Sequence, residues 1–198
     1  LKSLNVEKID YLFSESTGLS ENILYGLNTS RVIDFYALFY NCDFTTIDVS
    51  PLNTNIAERF SGIFSNCSNL TSIDLSCLDL SKITDFTSLF LNCTNLQEIT
   101  MPSLENKSTP TKLGSMFSGC SNLKKLDLKW ISTDQHITMG KMFYGCYAME
   151  ELDLRGWKSS KLDSNADHRD AWTSLPKDCK IIVSPGSGMK SWIPWFSD

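Results

Sequence analysis

The sequence predicts an α/β repeat fold: a solenoid in which short helices cover the convex side and a parallel, concave β-sheet lines the other. Phe39, Phe64, Phe90, Phe117 and Phe143 follow one another at intervals of 25, 26, 27 and 26 residues, each with a cysteine three residues on (Cys42, Cys67, Cys93, Cys120, Cys146). Before each phenylalanine the apolar residues fall at helical spacing, and after each cysteine they alternate. A fixed period in this range marks stacked supersecondary units, none of which can bury its apolar face alone.

Aligned on the phenylalanine, the residues four before it are Phe35, Phe60, Phe86, Leu113 and Met139. Those immediately before it are Leu38, Ile63, Leu89, Met116 and Met142. With the phenylalanine and the cysteine they mark one face of a short helix. The strand follows: Ile47 and Val49 flank Asp48, Ile73 and Leu75 flank Asp74, Leu126 and Leu128 flank Asp127, and Leu152 and Leu154 flank Asp153. The third rung has Ile99 and Met101 around Thr100. Alternation this short reads as strands of about five residues. An apolar residue three positions later (Leu52, Leu78, Leu104, Ile131, Trp157) turns the chain back toward the core.

Upstream, Val6, Ile9, Leu12 and Phe13 occupy the helix columns, with Ser16 in place of cysteine, and Leu19, Leu24 and Leu27 continue the strand columns. Six units over residues 6–157 are therefore expected within a single domain, 1–198, closed by an irregular capping region, 158–198, that holds a last strand from Ile181 to Val183. At roughly 4.8 Å per strand, about seven strands give a sheet on the order of 30 Å wide.

Apolar residues make up 41% of the chain, enough for a core and too many for disorder. No run of apolar residues is long enough to cross a membrane. A net charge of −5 disfavours nucleic acid as a partner, which calls for a basic footprint. Two histidines leave few general bases or metal ligands, and neither metal nor cofactor is expected. The chain opens at Leu1 without a charged or apolar leader, so any export signal is expected to lie outside it.

The stretch Met116-Phe117-Ser118-Gly119-Cys120-Ser121-Asn122-Leu123-Lys124-Lys125-Leu126-Asp127-Leu128 resembles the repeat of BspA-like leucine-rich-repeat bacterial surface proteins, Met-Phe-x-x-Cys-x-x-Leu-x-x-Leu-Asp-Leu. Matching stretches start at Phe64, Phe90 and Phe143, and a looser one at Phe39; Ser16 for cysteine and Thr100 for aspartate are departures. The resemblance implies a leucine-rich-repeat-like right-handed solenoid on an exported, surface-attached bacterial protein, its anchor outside this segment. It implies binding and adhesion, brings no catalytic residues and names no ligand.

The cysteines read as buried small hydrophobes. On helices packed roughly 8 to 10 Å apart they are too distant to bridge. Cys77 and Cys179 lie outside the ladder, and no bridge between them is expected. The aspartate column (Asp48, Asp74, Asp127, Asp153) should point from the concave face, where like charges on neighbouring strands need compensation from serine hydroxyls or from Lys125, Lys129 and Arg155. Trp130, in a column otherwise held by Pro51, Cys77, Ser103 and Gly156, is either an exposed aromatic on that face or a side chain folded over the neighbouring loop. Trp172, Trp192, Trp195 and Phe196 read as the cap of the core's open end. His136 falls in a packing column, and His168 lies in the irregular segment without a catalytic neighbourhood. Asn66-Cys67-Ser68 and Asn92-Cys93-Thr94 read as turn chemistry rather than glycosylation sites.

The expected function is therefore that of a non-enzymatic, monomeric cell-surface module. It would bind a host protein, matrix protein or glycan through Asp48, Asp74, Asp127, Asp153, Lys125, Lys129, Trp130 and Arg155, without inserting into a membrane. The alternative is a structural stalk or spacer with no ligand of its own.

Overall fold

The computed structural model describes residues 6–20, 22–102, 108–162 and 167–193. Within them the chain forms small parallel strands and almost no helix. Strand β1 (Ser72–Asp74) pairs with β2 (Glu98–Thr100); β3 (Lys125–Asp127) pairs with β4 (Glu151–Asp153), and β4 with β5 (Lys180–Ile182). The two sheets are open. Register follows the repeat: Leu126 faces Leu152 and Asp127 faces Asp153, so inward and outward columns stay aligned. Ile47 and Val49 are buried, as are Ile73, Leu75, Leu126, Leu128, Leu152 and Leu154, while Ile99 and Met101 are half-buried; the Ile47 rung forms no ladder strand.

The short helices are replaced by something else. Among the described residues the one α-helix is α1 (Asp167–Trp172), outside the repeat. Each rung instead runs through successive tight turns: Leu38 N–H donates to the Phe35 carbonyl, Tyr40 to Ala37 and Cys42 to Phe39. The intervening N–H groups donate to the next rung, Phe35 to Arg59, Ala37 to Ser61, Phe39 to Ile63 and Asn41 to Ser65, at 2.8–3.1 Å. An α-helix spends all these donors on itself; here half of them tie rung to rung, so the turn segments stack as strands do.

Such a path needs a left-handed residue twice per rung, two positions before the phenylalanine (Ala37 φ 52, Ser88 φ 57) and two after it (Asn41 φ 56, Asn66 φ 63, Asn92 φ 60). Asparagine suits the second position because its short polar side chain tolerates that conformation, and Asn92 Nδ2 also donates to Asn66 Oδ1 at 2.9 Å. At the next rung the column turns to Gly119, where a Cβ would sit 2.5 Å from Asn92 Oδ1.

Two ladders fill the core. Phe13, Phe39, Phe64, Phe90, Phe117 and Phe143 stack with ring centroids 5.4–6.1 Å apart and planes within 15° of parallel. Beside them each cysteine donates its thiol to the phenylalanine carbonyl of the preceding rung, Cys42 to Phe13, Cys67 to Phe39, Cys93 to Phe64, Cys120 to Phe90 and Cys146 to Phe117, at 3.0–3.1 Å. All seven cysteines are free. Contrary to expectation, no helices set the spacing of the ladder cysteines; they are unbridged, and each thiol donates to a carbonyl. Burial drives the thiol of Cys67, and likewise that of Cys146, up to about 12, which leaves them protonated and inert.

On the outside of the turns a row of parallel bridges links Lys8, Asp34, Arg59, Asp85 and Lys112, so charges alternate in sign from rung to rung. Arg59 lies 3.4 Å from Asp34, and Lys112 lies 3.7 Å from Asp85.

At the C-terminal end Trp172 covers the phenylalanine stack, its ring centroid 5.3 Å from that of Phe143, and the Ala171 carbonyl takes the Phe143 N–H. Trp192 packs against the core half-buried. Leu104, Ser103, Trp195, Phe196 and the His168 side chain lie outside the described residues. His136 is exposed, contrary to its expected packing role; its neighbour Ile137 is fully buried in its stead.

Candidate functional site

The strand face is built on one repeated local device. Each aspartate of the column accepts the backbone N–H two residues on: Asp48 from Ser50 (2.9 Å), Asp74 from Ser76 (2.8 Å), Asp127 from Lys129 (2.9 Å) and Asp153 from Arg155 (3.0 Å). These Asx turns end each inward-outward alternation and bend the chain off the face. The backbone hydrogen bond from Ser50, with its hydroxyl, lowers the Asp48 carboxyl, and the Ser76 hydroxyl does the same for Asp74.

Beyond that shared role the two ends of the face differ. At the early end Asp48 and Asp74 are exposed, and the Tyr25 hydroxyl donates to Asp48 at 3.0 Å. At the late end the carboxylates are tied together by cations. Lys129 Nζ lies 2.8 Å from Asp127 and 3.6 Å from Asp153, and Arg155 grips Asp153 through Nε at 3.0 Å and a terminal nitrogen at 2.6 Å. Asp153 is buried, with 7% of its surface exposed. Burial pushes its carboxyl up, but the hydrogen bonds from Arg155 and the charges of Arg155 and Lys129 outweigh that, and the net shift is down. The Asp127 hydrogen bond raises the Lys129 ammonium against an opposing desolvation.

An open groove of about 720 Å³ runs across β2, β3 and β4 at this end, lined by four acidic and four basic side chains. Lys125 sits in register with Glu151, which Lys180 already pairs at 3.0 Å, and among the described residues Lys125 forms no ion pair. Glu98 likewise forms no ion pair among the described residues, so the arrangement offers one ammonium and one carboxylate beside charges that are already paired. Nothing in it resembles a nucleophile with its base.

Of the eight residues expected on this face, the structure gathers Lys125, Asp127, Lys129, Asp153 and Arg155 in the groove and sets Asp48 and Asp74 along the early rungs. Trp130 does not belong there. It is 2% exposed and meets Phe86 edge-on at 5.3 Å, where the next rung carries Leu113 in the aromatic column. Its Nε1 has no hydrogen-bond partner among the described residues. Glu98 was missed, although it stands in the column of Ser72, Lys125 and Glu151, and reading that column through the third rung finds it. Tyr25 was missed because the first rung's strand columns carry no aspartate to align on.

Among the described residues no helix is long and apolar enough to cross a membrane. A search of curated proteins finds no match to the chain. One family model matches it twice, over residues 2–101 and 58–178, and the overlap of the two matches is what a repeated unit produces. The chain belongs to that family, DUF285, described as a Mycoplasma protein of unknown function.

Proposed function

We propose that the stacked rungs form a leucine-rich-repeat-like right-handed solenoid of an exported bacterial surface protein, similar to the BspA-like group, and that its strand face binds a host protein, matrix protein or glycan. The observation that carries this reading is the open, charge-balanced groove in which Lys125 and Glu98 form no ion pair among the described residues. Paired, rigid charges select a partner by complementarity while adding little net attraction, which is how polar recognition faces work. The family's description as a Mycoplasma protein supports a bacterial source.

Purified domain and full-length protein screened on glycan and extracellular-matrix arrays test the proposal. A specific ligand whose binding falls at least about tenfold in Lys125→Glu is expected. Silence of both preparations on both arrays refutes it.

A second reading, a stalk or spacer, is favoured by one observation: every aspartate of the column already serves an Asx turn, so the row has a structural purpose without any ligand. It predicts that Lys125→Glu leaves adhesion unchanged.

A further inference from the structure

A second concavity lies on the turn side of the early rungs and shares no residue with the strand-face groove. Tyr11, Tyr36 and Tyr40 wall it at one end. The Tyr11 ring stands edge-to-face with Tyr36 at 5.2 Å and with Tyr40 at 6.3 Å, and it is 47% exposed. Packing of the repeat does not require these rings: the columns of Tyr11 and Tyr36 hold Ala, Gly, Ser, Thr, Asp or Lys on the other rungs, and that of Tyr40 holds Ser or Leu on all of them but the last, where Tyr144 stands. The floor is Gly62. Its position in the rung carries side chains elsewhere at the same backbone angle (Tyr11, Ala37, Ser88, Ser115 and Lys141, φ 52–57), so conformation alone does not demand glycine. A Cβ there would rest 3.7 Å from Tyr36, and its absence leaves the space open. The cavity measures about 380 Å³, within the roughly 300–1,000 Å³ of small-molecule clefts.

The polar groups narrow the ligand class. Arg59 lies over the Tyr36 ring at 4.1 Å, held by Ser61 Oγ on its Nε (2.9 Å) and by Asp34 on one terminal nitrogen (3.4 Å). Among the described residues its other terminal nitrogen is unpaired, leaving fixed donors at the rim. Asp85 accepts from Thr87 N–H at 3.0 Å and faces Lys112 at 3.7 Å, keeping lone pairs for a further donor. The site's two cations are matched by two carboxylates, so it attracts neither an anion nor a cation. The cation-binding face of Tyr36 is already taken by Arg59. Aromatic walls beside fixed donors and acceptors, without net charge, fit a ring that has an apolar face and a rim of hydroxyls.

We propose that this tyrosine–arginine cleft is a carbohydrate subsite for a neutral pyranose, with the sugar's C–H face against the tyrosine wall and its hydroxyls on Arg59 and Asp85. The test is a titration of the 3-fluorotyrosine-labelled chain followed by fluorine NMR, with resonances assigned by single Tyr→Phe variants. The probes are cellobiose, lactose and N,N′-diacetylchitobiose, against sialyllactose as a charged sugar and glycerol as a polyol without a ring. Saturable shifts at Tyr11, Tyr36 and Tyr40 are expected with at least one neutral disaccharide, while Tyr25, Tyr144 and Tyr147 stay still. Tyr11→Ala and Gly62→Gln should each weaken that binding at least about tenfold, and Lys125→Glu should leave it unchanged. The wild-type titration decides the matter even if a variant folds poorly. No shift with any neutral disaccharide, shifts spread over all six tyrosines, or a response to sialyllactose alone overturns the assignment. A protein ligand that is lost in Tyr11→Ala while no sugar binds also overturns it, and assigns the cleft to protein docking.

Discussion

Shortening Phe90 tests whether the aromatic stack, rather than apolar filling alone, holds the rungs together. Phe90 is fully buried and lies between two nearly parallel rings, Phe64 at 5.4 Å and Phe117 at 5.8 Å. Phe13, at the end of the ladder, touches a single ring of it, Phe39 at 5.6 Å. Leucine keeps most of the apolar volume at either site and removes the ring. Each aromatic pair is worth about 0.5–1.5 kcal/mol beyond its area. Phe90→Leu therefore forfeits about 1–3 kcal/mol and Phe13→Leu about half as much, on top of a repacking cost common to both. Equilibrium urea unfolding, with slopes compared so that a change in cooperativity is not mistaken for stability, measures the difference. A cycle with Phe117→Leu should return a coupling of about 0.5–1.5 kcal/mol. Equal losses at Phe90 and Phe13, or a coupling near zero, would refute the stack as a source of stability.

Three further outcomes are expected. Cys120→Ser should retain more stability than Cys120→Ala, because serine keeps a donor for the Phe90 carbonyl, which Cys120 Sγ reaches at 3.1 Å; the alanine loss stays near 1 kcal/mol since Cys93 N–H still serves that carbonyl. Urea melts check the order, and the reverse order sinks the thiol bond. Ellman's reagent at neutral pH should modify Cys77 alone, the one exposed cysteine, and all seven only in denaturant; rapid native labelling of Cys67 or Cys146 contradicts their burial. Asp153 has a folded pKa below its ordinary value of 3.8, so the unfolded chain takes up that proton first. Its stabilisation is complete above that value and is lost as pH falls through it toward the folded pKa. Melting temperatures followed from about pH 6 to about pH 2 should fall less steeply in Asp153→Asn than in the wild type.

The period, the inward columns and the strand registers are legible in the sequence because burial selects residue type at each of them. The turn path was not, because apolar residues at −4, −1, 0 and +3 fit a helix face and a run of turns equally well. Asn41, Asn66, Asn92, Gly119 and Gly145 do put an αL-tolerant residue in each of these rungs, but at the end of the expected helix, where a helix cap would carry one as well. The left-handed position inside the segment holds Tyr11, Ala37, Ser88, Ser115 and Lys141, which carry no such signal. Trp130 illustrates a different limit. Its column holds half-buried Pro51 and exposed Cys77 and Gly156 on other described rungs, whereas the Trp130 ring packs edge-on against Phe86, a contact that no residue type in the column announces. The late cluster around Asp153 was legible as residue types and not as a buried, bidentate pair, since burial of a polar side chain depends on what the neighbouring rung places over it.

The alternating row Lys8, Asp34, Arg59, Asp85, Lys112 makes the parity of the stack matter. Deleting or duplicating one interior rung of this stretch would set two like charges side by side, whereas deleting or duplicating two adjacent ones keeps the signs alternating. Unequal recombination among such repeats would therefore meet a small bias, about 1 kcal/mol or less per pair, toward gains and losses of an even number of units.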